Sequence, residues 1–273
     1  VTAGALILHE EGKFNPSDPV SQYLPQFKNL KVLGKDGKKK DSRNPMTVAD
    51  LMRHTSGLSY GFTGNTEVEK AYRSRGIPGR AKNLDGFINN VTSLPLRFEP
   101  GDRWLYSVST DVLGKLIEVW SGQPLNVFLE KRIFQPLDMK DTGFHVPKDK
   151  LDRFTANYNS NYKGRLTRID DPRNSKYGKP TTFFSGGGGL VSTGRDYLRF
   201  LLMIQQGGQL HGTQLLKRDT VKLMTTNQLP KPLLPIQINQ PPRKGVGFGY
   251  GFSIRMKETD WGSGAKVGEY GWG

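Results

Sequence analysis

Tyr106 and Ser107 stand in the run Trp104-Leu105-Tyr106-Ser107, immediately ahead of a stretch with helical periodicity. A side-chain hydroxyl held at the mouth of a helix can move a proton to or from a reacting group. For tyrosine this needs a neighbouring cation, because a free phenol titrates at about pH 10 and a general base works best near the operating pH. The other reading of Tyr106 is a packed aromatic whose hydroxyl is satisfied by a neighbour.

Two further patterns carry nucleophile chemistry on paper. Serine and lysine three apart on a helix share a face, so the amine lies against the hydroxyl and can take its proton. The chain holds two such tetrads, Ser160-Asn161-Tyr162-Lys163 and Ser263-Gly264-Ala265-Lys266. The first lies in a polar stretch and the second in a glycine-rich turn, and neither opens an apolar helix. Gly57-Leu58-Ser59-Tyr60-Gly61 matches the Gly-x-Ser-x-Gly elbow, which works where a strand turns sharply into a helix. Here Thr47 as N-cap, Asp50 three residues on, and apolar Val48, Leu51 and Met52 predict a helix running into the pentapeptide. Ser59 is therefore not expected to be a nucleophile.

The elements that position these residues are readable from periodicity. Ser109 is expected to cap a helix whose apolar face is Val112, Leu113, Leu116, Ile117 and Trp120, with Gly122 ending it. Val1, Ala5 and Leu8 predict a helix at the start of the chain, closed near Gly12. Leu125, Phe128, Leu129 and Ile133 predict another, stopped before Pro136. Leu198, Leu201 and Leu202 give a further helix its expected core face. Residues 15–27, with three prolines, read as an extended connection, and residues 226–248, with five, as a long loop that could wall a site. Phe248 to Met256 alternates through Tyr250, Phe252 and Ile254 as a strand would.

Four stretches together resemble the class C β-lactamase-like serine hydrolases, the group that includes family VIII carboxylesterases, penicillin-binding proteins and D-amino-acid peptidases. Thr47 through Leu58 is similar to that family's T-x-x-x-L-L-x-H-T-S-G-L segment. Tyr106-Ser107 resembles its second motif, and Gly186–Gly189 followed by Leu190-Val191-Ser192-Thr193-Gly194-Arg195-Asp196 its G-G-G-L-x-S-T-x-x-D segment. Gly271-Trp272-Gly273 looks like the opening of the W-G-G that replaces Lys-Thr-Gly in many of the esterases. The resemblance implies an α+β, β-lactamase/transpeptidase-like fold, a helical region packed on a mixed α/β domain with an antiparallel sheet. One incomplete domain is expected over 1–273, its helical region mainly at 40–225 and its sheet-forming part from about 246.

By the same resemblance Tyr106 is the general base, and Ser107, Trp104, Trp272 and Gly273 bind substrate. The nucleophile of a Ser-x-x-Lys motif is expected upstream of Val1, and the chain to be truncated at both ends. The implied activity is carboxylester hydrolysis through an acyl-enzyme. A β-lactamase or D-amino-acid peptidase of the same fold, and a catalytically inactive binding protein, are the alternatives. Trp272 and Val108 favour the ester, because they stand where β-lactamases place polar groups that would hold a carboxylate.

Composition narrows the class. The 273 residues are 35% apolar and 10% aromatic, enough for a substantial core, and no apolar run approaches the roughly 20 residues that span a bilayer. With no cysteine and four scattered histidines, no disulfide, thiolate nucleophile, metal site or cofactor is expected. The net charge of +15 and the local run from Lys35 to Lys40 would suit nucleic acid. That run lies between turn formers and has no aromatic to stack on a base, so a solvated loop and a small-molecule ester or amide substrate are the expectation. Compartment and oligomeric state are not legible in these residues.

Overall fold

The computed structural model describes residues 1–34, 36–161, 163–237, 241–257 and 266–272. The helices are α1 (Thr2–Glu10), α2 (Val48–Met52), α3 (Glu67–Arg75), α4 (Leu84–Thr92), α5 (Ser109–Ser121), α6 (Leu125–Leu129), α7 (Gly194–Gln205) and α8 (Arg218–Thr225). The strands are β1 (Lys31–Leu33), β2 (Lys39–Asp41), β3 (Asn157–Ser160), β4 (Leu166–Asp170), β5 (Gln209–Leu210), β6 (Thr213–Gln214), β7 (Val246–Phe248), β8 (Ser253–Arg255) and β9 (Tyr270–Gly271). The first six strands form three separate antiparallel pairs, and β7-β8-β9 form a three-stranded antiparallel sheet. Among the described residues no helix is long and apolar enough to cross a membrane.

The core is built around α5. Val112, Leu113, Leu116 and Ile117 are fully buried, each worth about 1.5–3 kcal/mol of apolar burial, and α1, α2, α4 and α6 pack on this helix. Gly122 ends it in the left-handed conformation that glycine adopts without penalty. α1 is buried beyond the single face expected of it, with Leu6 and Ile7 enclosed as well as Ala5 and Leu8. It approaches α6 closely at Gly4, where a Cβ would sit 3.1 Å from Leu129 Cδ2. The capping box at Thr47 and Asp50 forms as expected, with the Asp50 amide donating to Thr47 Oγ1 (3.2 Å) and the Thr47 amide to Asp50 Oδ2 (3.0 Å).

Four expectations need correction. Ser109 is the first residue of α5 and does not cap it; the N-cap is Val108, with no side-chain bond, because the Ser109 hydroxyl is taken up by a buried network described below. Residues 248–256 are not one strand but the β7–β8 hairpin, turned at Gly251 with φ of 89°. Leu198 is 53% exposed, and α7 buries Asp196, Met203 and Ile204 instead. Residues 20–27 form two 3-10 turns instead of an extended link. The described part of the basic run, residues 36–40, falls in the β1–β2 hairpin, whose second strand is exposed; Lys40 there faces Asp36 at 3.6 Å, and Lys31 of β1 pairs with Asp41 at 2.6 Å.

Candidate active site

Tyr106 lies in the link between α4 and α5, half-buried, in a ring of aromatic side chains. Its centroid is 5.0 Å from Tyr60, 5.1 Å from His54 and 5.2 Å from Trp272, the last two at steep interplanar angles of 71° and 64°. Such edge-to-face contacts fix a ring's plane as well as its position. The backbone is held too, since the Leu105 amide donates to the His54 carbonyl (2.9 Å). His54 follows α2 directly and adopts φ of 58°, which turns the chain back beneath Tyr106.

Beneath the aromatic layer runs a line of buried hydroxyls. Ser107 Oγ lies 3.4 Å from His54 Nδ1 and 2.8 Å from Ser109 Oγ, and Ser109 Oγ lies 2.7 Å from Ser56 Oγ. Ser56, Ser107 and Ser109 have no exposed surface. Burial drives the His54 pKa down to about 3, so the imidazole is neutral across the physiological range. Ser107, expected to bind substrate, is thus enclosed in this line, its hydroxyl in contact with Ser109 and His54. Trp104 is buried against Phe248 (5.4 Å) and Trp272 (6.2 Å) and edges a cavity of about 260 Å3. Trp272 follows β9, whose pairing with β8 includes Ser253 opposite Gly271, and its ring meets Phe248 at 4.9 Å. Gly273 lies outside the described residues.

Tyr106 stands where several cavities meet. One of about 230 Å3 is bounded by Thr2 and Ala3 of the first turn of α1, by Tyr106 and by Trp272. A second, of about 560 Å3, is walled by Tyr60, Phe62, Phe144, Tyr177 and Phe183. A third, of about 450 Å3, places Arg243 and Arg255 on the wall it shares with Tyr106 and Trp272. A further cavity, of about 640 Å3, lies away from all of these candidate residues, between α6 and residues 140–154.

Over residues 1–273 the chain matches the family model described as Beta-lactamase. The chain belongs to the Beta-lactamase family. It is 33% identical over 257 residues to Protein Rv1367c of Mycobacterium tuberculosis, covering 92% of this chain and 63% of that protein. It is 30% identical over 221 residues to Esterase EstB of Burkholderia gladioli, covering 75% and 54%. The unliganded structure of simvastatin synthase (LovD) from Aspergillus terreus aligns at 25% identity with a TM-score of 0.75, over 98% of this chain and 69% of that one. The fold is thus β-lactamase/transpeptidase-like. The chain spans between about half and two thirds of the length of the two curated relatives.

The glycine-rich stretch of this Beta-lactamase family member now has a physical reason. Residues 185–189 run across the start of α5 so closely that a Cβ on Gly187 would lie 2.5 Å from the Tyr60 hydroxyl and 2.7 Å from Asp111 Oδ2. Ser185 Oγ donates to Asp111 Oδ1 (2.5 Å), as does the Gly187 amide (3.2 Å). Thr193 then caps α7, and Asp196 accepts from the Asp141 amide (2.7 Å). Sequence reasoning missed Tyr60, whose ring lies against Tyr106, and Asp111, which lies beside the Tyr60 hydroxyl. An acid in the first turn of a helix is ordinary, because the helix dipole favours it there, and so Asp111 drew no notice. Burial raises its pKa against the bonds from Ser185 and Gly187. Arg243 and Arg255 were missed as well, their only signal being basic side chains beside a predicted wall.

Proposed function

We propose that the protein containing these residues is a serine-dependent acyl hydrolase, a carboxylesterase acting through an acyl-enzyme, with Tyr106 as its proton carrier. The observation that carries this reading is the one cavity shared by the first turn of α1, Tyr106 and Trp272. Of the two internal Ser-x-x-Lys tetrads, Ser160 ends β3 on an exposed hairpin and is not among the residues lining that cavity, and Ser263 lies outside the described residues. The serine and its lysine would come from residues beyond these 273, in keeping with the greater length of the relatives.

In this mechanism the serine oxygen attacks the ester carbonyl while Tyr106, with the lysine, takes the serine proton. The tetrahedral intermediate collapses, and the same proton passes to the departing alcohol. Water then attacks the acyl-enzyme, giving its proton to Tyr106, which returns it to the serine as the carboxylic acid leaves. Ser107 supports Tyr106 instead of touching substrate, whereas Trp272 and Trp104 form apolar wall. The aromatic cavity of about 560 Å3 is of the size that encloses a drug-sized group, which suits a bulky acyl or alcohol portion.

Val108 is fully buried and offers no polar group where β-lactamases carry asparagine, which supports esters over β-lactams. A second reading, in which the substrate is a β-lactam or D-amino-acid peptide, is supported by 27% identity over 238 residues to the "Putative D-alanyl-D-alanine carboxypeptidase" of Escherichia coli. Assays of the full-length protein on p-nitrophenyl butyrate and on a chromogenic cephalosporin separate the two. Tyr106→Phe is expected to lower kcat on the ester by about a hundredfold or more. Unchanged ester hydrolysis by that variant would end the role given to Tyr106, and no turnover of either substrate by the wild type would favour a binding protein.

A further inference from the structure

Asp111 is fully buried, and only one of its carboxylate oxygens is spoken for. Oδ1 accepts from Ser185 Oγ and from the Gly187 amide, while Oδ2 makes no hydrogen bond within 3.5 Å among the described residues. Oδ2 is aimed at the space above Gly187, the same space into which the Tyr60 hydroxyl projects, as the two short distances from a Cβ built on Gly187 show. The Tyr60 ring in turn lies 5.0 Å from the Tyr106 ring, and both rings face the cavity of about 560 Å3. Asp111, Tyr60 and Tyr106 therefore form a line that runs from the start of α5 to the cavity.

We propose that Tyr60 and Asp111 are positioning residues that set the direction of the Tyr106 hydroxyl. The proposal rests on the reading of Tyr106 as proton carrier. Asp111 can only accept when ionised, so it draws the single proton of Tyr60 towards itself. The lone pairs of the Tyr60 oxygen are then left facing Tyr106, and the one thing Tyr106 can do towards Tyr60 is donate. Tyr60 keeps its proton throughout: burial, then the charges of Asp111 and Tyr106, push its phenol far above the ordinary value. Once Tyr106 has taken a proton from the nucleophile, Tyr60 can accept it as a hydrogen bond, which holds the protonated hydroxyl in place until it turns to hand the proton to the departing alcohol. Gly187 belongs to the device, because any side chain there would occupy the space the two groups share.

The test is a set of double-mutant cycles in the full-length protein, read as kcat and KM on p-nitrophenyl butyrate. Tyr60→Phe and Asp111→Asn are each expected to lower kcat by about tenfold to a hundredfold, the value of one hydrogen bond to the reacting group, with KM changed by less than about threefold. In a Tyr106→Phe background neither is expected to cost more than about twofold, since a residue that acts through Tyr106 has nothing left to act on. Full activity in both single variants, or losses that multiply with that of Tyr106→Phe, would overturn the proposal. Full activity in Tyr106→Phe alone strikes the underlying reading instead. Tyr60→Phe removes one oxygen and leaves the ring packing intact, so it carries the test by itself if Asp111→Asn does not fold.

Discussion

Ser59 and Tyr60 are neighbours in the chain and enter two different buried clusters, each built on a carboxylate with no exposed surface. On the Ser59 side, Glu69 accepts from Ser59 Oγ (2.8 Å), from the Thr66 amide (2.8 Å) and from the Thr66 hydroxyl, and faces Arg97 at 3.4 Å. Burial pushes the Glu69 pKa up, yet the bonds from Thr66 and Ser59 outweigh it and hold the carboxyl below its usual range. On the Tyr60 side, Asp111 keeps one oxygen in reserve and a cavity opens beside it. A buried carboxylate whose acceptors are filled and whose surroundings are closed is part of the fold. One with unused capacity next to open space is available to chemistry. The same contrast explains why Gly-x-Ser-x-Gly misleads here: Ser59 is closed in on every side by partners that its motif does not mention.

The comparison can be broken from either side. The largest effect is expected of Glu69→Ala, which strands the buried donors and leaves Arg97 unpaired; it should cost about 3–5 kcal/mol in urea unfolding while kcat per folded molecule is unchanged. A loss of kcat without loss of stability would reverse the roles of the two clusters. Acid comes next and should act on the Tyr106 side first. His54 in the unfolded chain takes a proton as the pH falls through 6.5, whereas in the folded protein it stays neutral until about 3. The unfolded state thus binds more protons in that window, and stability should drop by about 2 kcal/mol by pH 5 from this residue alone. Glu69, with its lowered pKa, keeps its contribution above the ordinary carboxylate range and begins to lose it only as the pH falls through that range. A His54→Gln variant should show a flatter pH–stability curve between pH 6.5 and 4; the same slope as the wild type would refute the assignment. The smallest effect is expected of Ser59→Ala, about 1 kcal/mol with normal ester turnover, measured by thermal unfolding and kcat. Abolished turnover in a stably folded Ser59→Ala would make that serine the nucleophile after all.

Local chemistry was legible wherever the information is local. The Thr47–Asp50 capping box, the glycine that ends α5 and the apolar face of that helix all depend on residues within a few positions of one another. Ser109 was misread because a cap and a buried hydroxyl look alike until Ser56 and Ser107 are known to be its neighbours. Leu198 was misread because periodicity names the apolar face of a helix without saying whether anything covers it. Residues 248–256 read as one strand because alternation continues through the turn, and Tyr250 and Phe252 in that turn are buried like the strand residues around them. Tyr106 itself was visible through its place ahead of α5. Tyr60 beside it and Asp111 beyond were not, since those two groups stand 51 positions apart in the chain and only the fold brings both against Gly187.

The line of serines beneath Tyr106 has a polarity. Each hydroxyl has one proton to give and two lone pairs to receive with, so the tautomer of His54 limits how the line from Ser56 through Ser109 and Ser107 can be oriented. If the imidazole carries its proton on Nδ1, it donates to Ser107, which is then free to give its own proton to Ser109; if the proton sits on Nε2, every hydroxyl points towards the ring. The tautomer of a histidine that never becomes charged at neutral pH is thereby tied to the orientation of three hydroxyls. Beneath the candidate site the Nε2 tautomer thus fixes every proton of the line at once, with no movement of a heavy atom.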